Sequence, residues 1–417
     1  MTRLWLCAVI AVSLPAGLAG NVFEGRVIDA SNHQPIAGAT VTAGGSTSTT
    51  DEEGCFQIVE TAGPVGVRAI GYRQVSVSVP GGAMPDIALT PFHPKALYLS
   101  FFGIGARALR EPALALAART GLNALVIDVK GDRGFIPYRT SVSLAVRAGA
   151  NRIITVEDIH GLVQDLHARG LYLIARIVVF KDSPLAELRP DLAVKAQSGR
   201  IWRDREGLAW TDPSKKEAWD YNIDIAVEAA RNGFNEIQFD YMRFPDAVGV
   251  PYSFPNTEQN RVEALSGFLK EARRRLAPEN VFLAADIFGY VPWNLDDTKI
   301  GQRIEKLAPL VDYVCPMLYP SGFQFGIPGY RQPVAHPYEI VRLSLEQALK
   351  RTGLSPKHFR PWLQAFRDYA FDRRAFGPKE ISLQIKAAED FKSDGWMLWD
   401  PHNLYSADGL PADGKSD

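Results

Sequence analysis

The sequence predicts an α/β protein in which a (β/α)8 TIM barrel follows a small N-terminal all-β sandwich. Three observations carry that reading. From residue 96 onward, apolar strand-like runs recur eight times, with amphipathic helical stretches between most of them. Before residue 92 the runs are short, β-rich and broken by turn residues, with no helical period. The 417 residues, 46% hydrophobic and 22% charged, are enough for one large domain and a smaller one of ordinary globular composition.

Residues 1–20 are expected to lie outside that fold. Arg3 forms a short positive region, "LWLCAVIAVSLPAGL" an apolar run, and Gly17-Leu18-Ala19 a small-residue cleavage pattern. The run is short for a membrane span, so it reads as a signal peptide, with a signal anchor as the alternative. Neither Gly20 nor Asn21 is a cysteine, which argues against a lipid-modified end. The expectation is an exported protein, periplasmic or extracellular, with no stable membrane insertion after cleavage. Cys7 leaves with the signal. Cys55 and Cys315 fall in different predicted domains and are expected to be buried thiols rather than a disulfide.

Residues 21–92 hold "NVFEGRVIDA", "ATVTAGG", "GCFQIVE" and "VGVRAIGYRQVSVSVP", a spacing that indicates a small antiparallel sandwich. The stretch "GRVIDASNHQPIAGATVTAGGSTSTTDEEGCFQI" resembles the carboxypeptidase regulatory-like domain, a transthyretin-like β-sandwich. The resemblance implies an accessory role. "PFHPK" at 91–95 is the joint, stiffened by two prolines.

The barrel, residues 93–417, has its strands at "ALYLSFF", "ALVIDVKG", "LYLIARIVVF", "EIQFDYMRFP", "VFLAADIFGY", "VDYVCPMLYP", "FRPWLQAF" and "GWMLWDP". A doubly wound open sheet is the alternative, but no glycine-rich phosphate loop follows the first strand. Active sites of barrels sit at the C-terminal strand ends, and strand period two sorts the faces. It points Asp128 and Lys130, Arg176, Gln238 and Asp240, Asp286, Cys315, Met317 and Tyr319, Trp362 and Gln364, and Trp399 inward. A purely structural core would use Val, Ile and Leu there, so polar groups converging on one mouth indicate chemistry.

Asp240 and Asp286, at the ends of adjacent strands, fit glycoside hydrolysis, in which one carboxyl protonates the leaving oxygen and the other attacks or activates water. They are the candidate catalytic pair. The candidate substrate-binding residues are Asp128, Lys130, Arg176, Tyr241, Arg243, Tyr319, Trp362, Gln364 and Trp399. Tyr241, Phe244, Tyr290, Trp293 and further strand-end aromatics form an expected rim for sugar rings. Arg243 is also expected to hold its loop by a bidentate ion pair. The long 181–235 connection contributes Trp202, Trp210 and Asp212 as a cleft wall, or packs on its own aromatics.

The segments "GFNEIQFDYMRFP", "AADIFGY", "VDYVCPMLYPS", "RPWLQAF" and "GWMLWDPHNLY" resemble a glycoside hydrolase-like family of TIM-barrel domains long of unknown function, over about residues 96–405. The resemblance implies a retaining-type or related glycosidase, with the fourth-strand carboxylate on Asp240. No cofactor and no metal are expected. Lys+Arg of 46 against Asp+Glu of 47 leaves no basic excess for nucleic acid, so the expected partner is a polysaccharide or oligosaccharide. Two alternatives remain open: a non-catalytic carbohydrate-binding or envelope-assembly protein, and a metal-dependent polysaccharide deacetylase with Asp128, Asp240 and Asp286 as ligands. The sequence leaves the oligomeric state undetermined.

Overall fold

The computed structural model describes residues 22–59, 63–78, 86–247 and 249–412. The expected signal peptide therefore lies outside the described residues. The chain divides into two compact units, one ending at Phe92 and one starting at His93, with Ala277–Asn280 grouped with the first.

The first unit has two sheets. One runs β4 (Cys55–Val59), β1 (Val22–Asp29), β7 (Ile87–Leu89), and the other β3 (Ser46–Thr49), β2 (Thr40–Ala43), β5 (Val65–Arg68), β6 (Val75–Val77). Alternating residues from both, among them Val27, Val41, Val67 and Leu89, share one core. The unit is not wholly antiparallel as expected, because β1 pairs with β7 in parallel.

The second unit is the barrel. Its strands β8 (Lys95–Leu99), β9 (Ala124–Lys130), β10 (Tyr172–Val178), β11 (Glu236–Asp240), β12 (Phe282–Ile287), β13 (Tyr313–Pro316), β14 (Trp362–Gln364) and β15 (Trp396–Trp399) fall on the eight expected runs. All pairings are parallel, in the order β13-β12-β11-β10-β9-β8-β15-β14. Single bridges Val314 to Phe359 and Met317 to Trp362 close the ring between β13 and β14. Buried on both faces, strands such as "ALVIDVK" are nearly continuous apolar runs. The crossover helices cover the outside. Lys216–Arg231 buries Ala218, Tyr221, Asn222, Ile225 and Ala229, a stripe at helical spacing, with Glu217 in its first turn and Arg231 in its last. Pro337–Thr352 begins on a proline and stops at Gly353, whose φ of 68° a side chain would strain.

Contacts between strands that are not neighbours show which side chains face the interior. On β11, Glu236 reaches Arg360, two residues before β14, with Nη1 2.7 and 2.6 Å from its two oxygens, and Gln238 reaches Met397 of β15. Arg360 also donates to the carbonyl and carboxylate of Asp394 and lies 3.9 Å above the Tyr313 ring. Tyr172 donates to Glu236 at 3.0 Å. The barrel floor is thus a buried ion network, with Asp240 two pleats above it.

Breaking such a pair strands a charge. Arg360→Met should therefore destabilise the barrel by ~3–5 kcal/mol, and Glu236→Gln in addition should recover part of that loss in denaturant titrations. Residues 93–417 alone are expected to melt cooperatively, and a non-cooperative melt would place the domain boundary elsewhere.

Candidate active site

At the C-terminal ends of the strands lies a cavity of about 420 Å³. Asp240, Asp286, Arg176, Tyr241, Arg243, Tyr319 and Trp399 line it, together with Asp132 from the loop after β9. Of the sequence candidates, Asp128 and Trp362 stand directly behind lining residues. Lys130 and Gln364 do not reach the cavity.

Arg176, buried on β10, organises one wall. Its Nε and Nη2 donate to Asp240 Oδ2 at 2.9 and 2.6 Å, Nη1 to Asp128 Oδ1 at 2.7 Å, and Nη2 to Asp132 Oδ1 at 2.9 Å. Asp240 Oδ1 accepts from the backbone N–H of Tyr241 at 2.6 Å. Charge-assisted bonds from a planar fork fix the Asp240 carboxylate in place and stabilise its negative charge. Asp128 accepts in addition from the Tyr98 hydroxyl at 2.7 Å and the Phe101 N–H at 3.1 Å, yet burial still pushes its pKa up to about 6. Tyr98 in turn stacks on Trp399, with centroids 3.9 Å apart, and the guanidinium sits 4.9 Å from the Trp399 ring centre.

Asp286 stands in the opposite situation. Its Oδ1 accepts from Trp362 Nε1 at 2.7 Å, while Oδ2 has no hydrogen-bond partner among the described residues. Burial, with the Asp240 charge behind it, holds its pKa well above the usual carboxylate range. The backbone below it is tied down by Gln302, whose Nε2 donates to the carbonyls of Asp286 and Met242 and whose Oε1 accepts from the Phe288 N–H. One cavity thus holds a charge-stabilised carboxylate and a carboxyl driven towards its neutral form.

Several expectations are corrected. Lys130 faces away from the mouth, because β9 carries one extra residue against β10: Asp128 pairs with Arg176, but Lys130 pairs with Ile177. The bulge reverses its face, and its ammonium meets Asp182, the Val179 carbonyl and Asn222 of the outer helix. Gln364 points inward but is consumed by Ser321 and the Phe366 carbonyl. Tyr241, which strict alternation turns towards the helices, lines the cavity because its φ of 47° breaks the pleat. A left-handed tyrosine costs on the order of 1–3 kcal/mol, held here by the ring's contact with Trp210 at 5.7 Å. Phe244 is buried against Tyr252 and Phe254 rather than at the rim. Tyr290 and Trp293 pack partly buried on the core. Trp210 and Asp212 are buried as well, and Trp202 also packs on the core, so the 181–215 segment supports Tyr241 from behind instead of walling the cleft. Arg243 makes no ion pair among the described residues. Its Nη1 donates to the Phe244 carbonyl at 3.1 Å.

Asp132, Gln302, Phe288, Phe366 and Tyr369 were not anticipated as cavity residues. Only Asp132 leaves a sequence signal, as a carboxylate two residues past a strand that already carries Asp128. Among the described residues, no group of three or more His, Cys, Asp or Glu side chains is arranged to hold a metal ion. Asp128, Asp132 and Asp240 converge on the Arg176 guanidinium instead.

The glycoside hydrolase domain of PgaB (BpsB) from Bordetella bronchiseptica is similar in fold at a TM-score of 0.54 and 14% identity, over 77% of this chain and 99% of that one. A hypothetical protein from Ruminiclostridium thermocellum is 36% identical over 46% of this chain and 96% of its own, with a TM-score of 0.41. An α-L-fucosidase isoenzyme from Paenibacillus thiaminolyticus aligns over 76% of this chain and 47% of its own at 14% identity and a TM-score of 0.49. No curated protein matches the chain. Residues 96–405 match the family described as "Putative glycosyl hydrolase domain", and the chain belongs to that family.

Proposed function

We propose that the barrel hydrolyses glycosidic bonds in a polysaccharide or oligosaccharide, with Asp286 as general acid and Asp240 as nucleophile or general base. The observation that carries this is the contrast between the two carboxyls within one cavity. Asp286, buried with a free Oδ2, is suited to hold a proton and give it to the departing glycosidic oxygen. Asp240, held in place by the Arg176 guanidinium, serves the oxocarbenium-like centre by attacking it or by activating water. Arg176 and Asp128 position Asp240, Trp362 positions Asp286, and the Tyr241, Tyr319 and Trp399 rings offer faces to the sugar.

The export reading stands as part of the proposal, resting on residues 1–20. No helix among the described residues is long and apolar enough to cross a membrane. The N-terminal unit is proposed as an accessory sandwich of the carboxypeptidase regulatory-like kind, because its resemblance brings no cluster of catalytic residue types.

Asp240→Asn should lower kcat by on the order of 10³ or more with KM little changed, since it removes an interaction made in the transition state. Its melting temperature should move little, because Asp128 and Asp132 still pair with Arg176. A non-catalytic carbohydrate-binding protein would instead have no turnover to lose and would bind glycans equally well before and after the substitution. Full activity of Asp240→Asn on a confirmed substrate removes the assignment.

Asp286→Asn should cost less on substrates with good leaving groups, which need little protonation. The pH profile carries the sign. An acid whose pKa is raised works while protonated, so activity should be complete below that pKa and fall as pH rises through it, on a limb well above the usual carboxylate range. That alkaline limb should be missing from Asp286→Asn. A limb that survives the substitution belongs to another group.

A further inference from the structure

Arg243 lines the cavity with no direct ion pair among the described residues, the Asp240, Asp246 and Asp204 charges acting on it only from beyond ion-pair distance. The three buried arginines of the barrel are each neutralised by carboxylates: Arg176 by Asp128, Asp132 and Asp240, Arg261 by Asp297, and Arg360 by Glu236 and Asp394. Arg243 is half-buried, lines the same cavity as the catalytic pair and makes one hydrogen bond, to the Phe244 carbonyl of its own loop. Its guanidinium carbon lies 4.9 Å from the Trp210 ring centre and 5.4 Å from that of Tyr241. Two aromatic faces therefore hold the group without consuming its N–H donors, which leaves the fork available at the cavity wall. Taking a guanidinium part way out of water without a counter-charge is costly, and a bound anion is what repays it.

The same unit carries a second basic depression. Asp132 lines the cavity, and the next residue, Arg133, lines a pocket of about 220 Å³ with Arg152 and Arg203. Its one carboxylate, Glu187, is paired with Arg203 at 2.8 Å, and Arg152 stacks over Phe135 at 4.5 Å.

We infer that Arg243 is the receptor for a negatively charged substituent, carboxylate or sulfate, on the sugar bound beside the catalytic pair, which makes the substrate an acidic glycan. This deepens the proposed glycan-hydrolysing role of the cavity and rests on it. A guanidinium fork binds a planar carboxylate or a sulfate face through paired charge-assisted hydrogen bonds. Arg176 is poorly suited to that, since four of its five N–H donors already serve Asp128, Asp132 and Asp240.

The test is a binding comparison with the full mature chain. The probes are polygalacturonate against its carboxyl-reduced polymer, and chondroitin sulfate against its desulfated form. Titration calorimetry is run on the unaltered protein, Arg243→Gln and Arg243→Lys, with reducing-end release read from the same mixtures. At least one charged probe should bind roughly 10- to 100-fold more tightly than its neutral partner, the range expected of hydrogen bonds to charged groups. The preference should shrink with added salt, vanish in Arg243→Gln and survive in part in Arg243→Lys, which keeps the charge and controls for misfolding. No preference for either charged probe, including no binding at all, overturns the inference, as does a preference that persists in Arg243→Gln. An Arg243-dependent preference without any cleavage counts against the hydrolase reading and leaves the acidic-glycan assignment standing.

Discussion

The site depends on one guanidinium. Arg176 rises from β10 into a barrel interior where an unpaired charge would cost several kcal/mol, and it is tolerable because three carboxylates from β9, its following loop and β11 close around it. That requirement fixes the ends of three structural segments at once. Asp240 must turn inward and upward to meet it, Asp128 must be held by Tyr98 and the Phe101 N–H, and the loop after β9 must bring Asp132 back over the mouth. The polar floor, where Arg360 and Glu236 meet, repeats the solution two pleats lower. This barrel is pinned by ion networks at both levels of its core.

The consequence for chemistry is an asymmetry between two carboxyls of like kind. Asp240 is gripped by two N–H groups of the Arg176 guanidinium. Asp286, one strand away, meets an indole N–H on one oxygen and nothing on the other, and it feels the negative charge of Asp240. Burial and the neighbouring Asp240 charge drive Asp286 towards its neutral form without any further group having to intervene. Tyr241 belongs to the same device. Its strained backbone lets one residue cap Asp240 with its N–H and place its ring on the cavity wall, and Trp210 and Lys181 brace that ring from behind.

Much of this was legible in the sequence, because period two is a strong constraint in a strand buried on both faces. The eight runs, the inward direction of Arg176, Asp240 and Asp286, and the aromatic character of Tyr319 and Trp399 all follow from it. What escaped are the places where the pleat is interrupted or the partner is remote. One additional residue in β9 reverses Lys130, and one positive φ after β11 reverses Tyr241. Phe244 and Trp210 have the composition of a rim but the surroundings of a core, which only packing decides. Gln302 enters from a loop after β12 with no spacing signal, and the absence of an ion pair at Arg243 is a property of distances that residue types do not encode.

The proposed chemistry turns on Asp286 being protonated in the resting protein. Infrared difference spectroscopy at neutral pH tests it most directly, since a protonated carboxyl has a carbonyl band that a carboxylate lacks. Such a band is expected in the unaltered protein and in Asp240→Asn, and should be lost in Asp286→Asn. No protonated-carboxyl band, or a band lost in Asp240→Asn and retained in Asp286→Asn, would contradict it.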